Sequence, residues 1–274
     1  MNKTDLKKKA YQIREKILRM IADGKAGHAG GDLSETDLLT ALFYDVMKIE
    51  PKKPMWEDRD YFILSKGHCV ETYYAILADI GFFPEDDLKT FSKFRTKLIG
   101  HPNNKILGIE MCSGALGHGL SIGVGMALAS RMDHKDRHVY VLMGDGEQAE
   151  GSVWEAAMAA SSYELENLTA IVDRNHLQIS GSTEEVMKLE PFKAKWEAFG
   201  FYVTEINGHD FDQIIPALKM RKNGQPVLIL ANTIKGKGVS YMEGTVKWHH
   251  GVPDEGQFEQ AMKELNEVIE HECK

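Results

Sequence analysis

Two short runs, His138–Met143 and Leu168–Val172, are almost wholly apolar, without the polar alternation of a half-exposed strand. Each predicts a strand buried on both faces. Between them Ser152 and Glu155 stand at capping-box spacing, opening the alanine-rich stretch Val153–Ala160, which favours helix. Strand, helix and strand predict a βαβ unit whose strands are parallel neighbours.

The rest of the chain alternates in the same way. The first ~20 residues carry a stripe of Leu6, Ile13, Ile17 and Ile21 at helical spacing, with Lys7–Lys9 on the solvated face, and end in a loop that delivers His28. A second helix is expected from Ser34, as hydroxyl cap, to about Met47. A strand at Asp60–Leu64 leads to a helix through Tyr73 and Leu77 that stops at Gly81. Residues 114–131 form a small-residue helix with Gly119, Gly123 and Ala127 on one side, a stripe that fits packing on the sheet or against another subunit. Further elements are expected at Pro191–Phe199 (helix), Phe201–Ile206 (strand), Asp210–Arg221 (helix), Val227–Ala231 (strand) and Phe258–Glu270 (helix). The fold class is α/β, a mostly parallel sheet covered by helices on both faces, in a single domain spanning 1–274.

Composition narrows the function classes. A formal charge of −8 over 274 residues lacks the basic face that nucleic acid requires. No stretch approaches the ~20 apolar residues of a membrane span, and the N-terminus lacks a signal peptide's apolar core, so a cytoplasmic protein is expected. Three cysteines without paired metal-ligand spacing read as reduced thiols.

The chemistry gathers where the two apolar strands end. Gly144-Asp145-Gly146 follows the first, and Asp173-Arg174-Asn175-His176-Leu177 ends the second, with Asp145 and Asn175 30 residues apart. Both emerge at the carboxyl edge of the sheet, where open α/β sheets bind ligands. The Asp145 carboxylate, the Asn175 amide oxygen and a backbone carbonyl near Leu177 offer half an octahedron to a hard cation, and Mg²⁺ completes such a shell with water and ligand phosphate. Gly146 lets a backbone N–H approach that phosphate. Four loops place histidine beside glycine: Gly27-His28, Gly67-His68, Gly100-His101 and His250-Gly251.

With Glu150-Gly151 between Asp145 and Asn175, the unit resembles the thiamine diphosphate-binding motif. Leu64–His68, Gly100-His101-Pro102, Ser113–Gly119, Gly208-His209-Asp210 and Thr233–Gly238 extend the resemblance, over nearly the whole chain, to the N-terminal domain of transketolase. The resemblance implies thiamine diphosphate and Mg²⁺, with Ca²⁺ or Mn²⁺ as substitutes. Asp145, Asn175 and the Leu177 carbonyl would hold the metal. Gly146, His68 and His250 would contact the diphosphate, with Asn175 and Ile179 also lining the cofactor, and Gly114 and Leu116 would lie against the aminopyrimidine. His28, His101 and His250 would bind donor hydroxyls and move protons, and Glu150 would reach toward the partner's half of the cofactor.

The pattern departs at Ala115, usually proline, and His118, often glutamine, both near the aminopyrimidine; His249 adjoins His250 and leaves a one-residue ambiguity. The family's pyrimidine-binding and C-terminal domains are not in this sequence. The resemblance therefore implies one subunit of a split transketolase, partnered by a separate C-terminal subunit in a heterotetramer of two copies of each chain. That enzyme would pass a two-carbon unit from a ketose phosphate to an aldose phosphate, or act on a sulfonated or branched sugar. The chain alone would be silent, with an apolar face around Gly119 and Leu120 left uncovered. The α subunit of a 2-oxoacid dehydrogenase is the alternative within the superfamily; a nicotinamide oxidoreductase lacks its Gly-x-Gly-x-x-Gly. A non-catalytic module derived from the family is disfavoured by the intact Asp145, Asn175 and histidines.

Overall fold

The computed structural model describes residues 1–273. Helices α1 (Lys3–Gly24) and α2 (Ala29–Ala41) lead into β1 (Tyr61–Leu64) and α3 (Val70–Ile80), and α4 (Gly119–Met132) leads into β2 (Val139–Gly144), α5 (Gly151–Ser162) and β3 (Leu168–Arg174). A small hairpin of β4 (Leu177–Gln178) and β5 (Gly181–Ser182) precedes α6 (Thr183–Val186), α7 (Phe192–Ala198), β6 (Tyr202–Asn207), α8 (Phe211–Leu218), β7 (Val227–Asn232) and α9 (Glu255–His271).

Five strands form one wholly parallel sheet in the order β1-β2-β3-β7-β6. Period-two alternation divides its side chains between two cores. Phe62, Leu64, Tyr140, Leu142, Ile171 and Ile229 join the core that also holds residues of α1, α2, α3 and α8, whereas Val139, Val141, Met143, Val172 and Leu228 join residues of α4, α5 and α7 on the other face. Burial on both faces is why β2 and β3 are apolar throughout. The α1 stripe of Leu6, Ile13, Ile17 and Ile21 is fully buried, and α3 ends where expected, with Gly81 in the left-handed conformation.

Three local expectations are corrected. The second helix begins at Ala29 and not at Ser34, which is buried and gives its hydroxyl to Asp173. The Ser152–Glu155 capping box does not form: Glu150 occupies the cap of α5, and Ser152 Oγ donates to the Gly117 carbonyl. The box appears instead at α9, between Asp254 and Gln257. The small-residue stripe packs inside the chain. A Cβ on Gly119 would lie 2.4 Å from Ser65 and one on Gly123 2.5 Å from Val141, so α4 sits directly on the strands, and Gly119 and Leu120 are covered without any partner.

Candidate active site

A cavity of about 470 Å³ opens at the carboxyl edge of the sheet. The loop after β1 brings Lys66 and His68 to it, the turn after β2 brings Asp145 and Gly146, the end of β3 brings Asn175 and Leu177, and the segment after β7 brings Lys235 and His249. His28, His101, Gly114, Leu116, Glu150 and Ile179 complete the wall. Two of the loops are stitched together beside it: Gly251 N donates to the Gly27 carbonyl at 3.2 Å, and Gly236 N to the Gly30 carbonyl at 2.8 Å.

Asp145 is 2% exposed, a buried carboxylate and not one on an open strand end. Its Oδ1 accepts from Gly146 N at 2.7 Å and its Oδ2 from His176 N at 2.6 Å, with Arg174 Nη1 at 3.5 Å. Burial, reinforced by the negative charge of Asp173, pushes its pKa up to about 6. The backbone folds so that the turn faces Asp145. His176 takes a positive φ of 66°, uncommon for a residue other than glycine, and Asn175 Oδ1 accepts from Leu177 N at 3.1 Å. A poorly neutralised carboxylate, an amide oxygen and a carbonyl thus line one cavity. Among the described residues no three His, Cys, Asp or Glu side chains gather as a metal cage. That donor set suits a hard cation that draws the rest of its shell from a ligand. Gly146 adds to the fit, since a Cβ there would lie 3.0 Å from Gln178 and crowd the turn.

The histidines converge. His28 lies 5.0 Å from His68, 5.8 Å from His249 and 4.8 Å from His250, ring centre to ring centre, and His68 lies 5.3 Å from His249. His249 faces the cavity, whereas His250 is exposed and packs on His28 from outside the lining. Burial lowers the pKa of His28 to about 4, helped by His250, His101 and Lys235, and that of His249 to about 3, helped by Lys235 and His28. Burial likewise pulls His68 far down, with Lys66 adding to it, and lowers His101. Each of these shifts favours the neutral imidazole at pH 7. Ala115 and His118 lie at the exposed rim, the His118 ring nitrogen 3.1 Å from the Leu116 carbonyl.

Two lysines in the wall receive no role from sequence alone, although both stand within its motifs. Lys66 Nζ donates to Asp173 at 2.7 Å and to the Gly31 carbonyl at 3.0 Å, and lies 2.8 Å from Glu35 out of line for a hydrogen bond. Lys235 Nζ lies 3.4 Å from the Leu177 carbonyl and 3.2 Å from His249 Nδ1. Their burial is what sequence could not supply; a lysine beside glycine in a motif expected to flank a phosphate was the available signal.

Known proteins similar to this chain share one family. The family model described as transketolase, thiamine diphosphate binding domain, matches residues 6–266. A protein of Phocaeicola vulgatus, named as one of the subunits of an apulose-4-phosphate transketolase, is 52% identical over 94% of this chain and 92% of its own length. The 6-deoxy-6-sulfo-D-fructose transketolase subunit SqwG of a Clostridium species is 44% identical, covering 95% of this chain and 96% of that one. The crystal structure of transketolase from Campylobacter jejuni superposes with a TM-score of 0.91 at 33% identity over 97% of this chain, which spans 43% of that protein. The 2-oxoacid dehydrogenase and nicotinamide alternatives receive no support from these matches, and the chain belongs to the transketolase family, whose thiamine diphosphate-binding domain it carries.

Proposed function

We propose that the chain is the diphosphate-binding subunit of a split, Mg²⁺-dependent transketolase whose pyrimidine-binding domain lies on a separate C-terminal subunit, in a heterotetramer of two copies of each chain. The observation that carries this reading is the meeting, in one cavity, of Asp145, Asn175 and the Leu177 carbonyl with a cluster of neutral histidines. The full-length match to relatives named as subunits supports the split.

Thiamine diphosphate, when bound, supplies the carbanion chemistry that cleaves and forms the carbon–carbon bond. Asp145, Asn175 and the Leu177 carbonyl hold Mg²⁺, with Ca²⁺ or Mn²⁺ as substitutes, while Gly146 and His68 face the diphosphate and Lys235 brings positive charge to it. Asn175 and Ile179 border the cofactor, and Gly114 and Leu116 lie against its aminopyrimidine. His28 and His101 hold the donor's hydroxyls and accept the proton of the hydroxyl next to the bond that breaks. His249 faces the cavity and His250 packs on His28 from outside its lining, so in this reading the proton handling and diphosphate contact expected of His250 pass to His249, with His250 beside it. Glu150, at the exposed rim, reaches toward the partner's half of the cofactor.

The sugar is a branched or sulfonated ketose, or a ketose phosphate, and apulose 4-phosphate is the first candidate because the 52% identical relative is named for it. The test is ketol transfer by residues 1–274 with Mg²⁺ and thiamine diphosphate, with and without the partner subunit. Transfer is expected only with the partner. His28→Ala and His101→Ala are expected to lower kcat about 10²–10⁴-fold with cofactor affinity nearly unchanged. Turnover by the isolated chain, or parent-like kcat in both variants, refutes the reading.

A further inference from the structure

Behind His28 lies a buried pair of acids that the proposed chemistry does not use. Asp32 is on α2 and Glu71 on α3, and neither has measurable exposure. Asp32 Oδ1 accepts from the Thr72 amide at 2.9 Å and the Thr72 hydroxyl at 3.0 Å; Glu71 Oε1 accepts from the His28 amide at 3.3 Å. The second oxygen of each, Asp32 Oδ2 and Glu71 Oε2, is buried without a donor. The Asp32 and Glu71 carboxyls lie within hydrogen-bonding reach of each other, and two ionised carboxylates so placed, with unpaired oxygens, would each carry the full cost of a stranded charge. Lys66, whose charge acts on Asp32, is already engaged by Asp173 and Glu35. One proton between the two acids removes both defects, because the protonated oxygen donates to the other.

We infer that Asp32 and Glu71 share a proton and act as a positioning pair that fixes the His28 loop, an inference about the reaction that rests on the proposed transketolase reading. The direction of both ionisations agrees. Burial raises Asp32 against the pull of the Thr72 amide and Lys66, and raises Glu71 with the charge of Asp32 adding to it. The loop is fitted to this support: a Cβ on Gly27 would come within 2.6 Å of Glu71 Oε1 and 2.4 Å of Ile21, so the chain before His28 lies directly on the acid. A neutral, hydrogen-bonded Glu71 therefore sets the height and direction from which His28 enters the cavity without itself reaching the substrate.

Infrared spectra of the intact chain at neutral pH test the proton without reference to activity. Glu71→Gln and Asp32→Asn should each remove the same protonated-carboxyl carbonyl band, since either amide can donate to the remaining carboxylate. Spectra that lose no such band in either variant overturn the shared proton, whether or not the chain proves to be a transketolase. In the reconstituted complex Glu71→Ala should lower kcat about 10- to 100-fold, the scale of a displaced reacting group, with donor KM and thiamine diphosphate affinity changed less than about threefold. Glu71→Gln, which keeps the reach to His28, should recover kcat to within about threefold of the parent. If Glu71→Ala fails to fold, Glu71→Asp takes its place with the same expectation, as it keeps the acid and shortens its reach. Equal kcat losses in the Gln variant and in the shortened one, or a loss confined to KM, overturn the positioning role. A complex with no transfer activity at all but the expected infrared change would refute the proposed function and leave the proton pair standing.

Discussion

Asp145 and Asp173 occupy neighbouring strand ends, Gly144 of β2 being paired with Asp173 of β3, and both are buried; yet their surroundings move them in opposite directions. Burial opposes ionisation of Asp173 as well, but Lys66, Ser34 and Thr233 hold its carboxylate below the usual range. Its Oδ2 accepts from Ser34 at 2.5 Å, Lys66 at 2.7 Å and Asn175 Nδ2 at 3.2 Å. Asp145 has two backbone N–H donors and a guanidinium at 3.5 Å that is shared with Glu184 and Glu190. One carboxylate is satisfied by the chain and ties α2, β1 and β3 together. The other is left costly, facing a cavity where a cation would repay it. In the proposed reading, neighbouring residues of one sheet edge thus divide the work of holding the fold and holding a ligand.

The first way to break this comparison is Asp173→Asn. Removing the charge leaves Lys66 with Glu35 alone and puts an NH₂ among groups that are themselves donors. Losing one partner of a buried ion pair costs about 3–5 kcal/mol. Urea unfolding of the chain without cofactor should show that loss, and a loss below about 1 kcal/mol would mean that Glu35 substitutes for Asp173 and the division of roles is wrong.

Asp145→Ala should show the reverse pattern. Metal-dependent thiamine diphosphate affinity in the complex should fall by more than about 100-fold, since even groups that only support a metal ligand cost 10- to 100-fold when removed. The urea midpoint should not fall with it. Calorimetric titration reads the first quantity, and unchanged affinity would remove Asp145 from the metal site.

This division is only half legible in the sequence. The strands are, because a run such as Val139–Met143 without polar alternation has no stable place except between two layers of helices. Asp145 and Asn175 are too, because a residue following a parallel strand is delivered to the carboxyl edge wherever the helices go. What sequence could not show is which polar residues turn inward. Ser34, Glu35 and Asp37 look like the acidic first turn of a helix, but α2 starts a turn and more earlier and all three are buried, Asp37 against Arg14 at 2.7 Å and His209 at 2.7 Å. Those partners lie 23 and 172 residues away, beyond any local pattern. Which of His249 and His250 lines the cavity is likewise tertiary, set by how the 3₁₀ segment Val246–His249 lies on α2.

The smallest effect sharpens the comparison most, because it has a sign and a pH window. A carboxyl raised to about 6 in the folded chain, against an ordinary value of 3.8, binds more protons folded than unfolded between those values. Its contribution to stability therefore falls as pH rises through that window, so that above about 6 the buried charge of Asp145 costs on the order of 3 kcal/mol. Asp145→Asn has nearly the shape of the protonated acid and carries no charge. Its NH₂ must face the Gly146 or the His176 N–H, a cost that does not vary with pH, so the stability of the cofactor-free variant relative to the parent should be higher at pH 7 than at pH 4, where the parent's Asp145 is itself neutral, by about that amount. His28 and His249 act in the opposite sense: their folded pKa values are depressed, so stability is lost as pH falls below about 6.5, but they do so equally in parent and variant and cancel from the difference. Thermal melts of both proteins from pH 4 to 7.5 read that difference directly. A gain for Asp145→Asn that is flat with pH would show that Arg174 already neutralises Asp145, and the contrast with Asp173 would then be one of hydrogen bonds and not of charge.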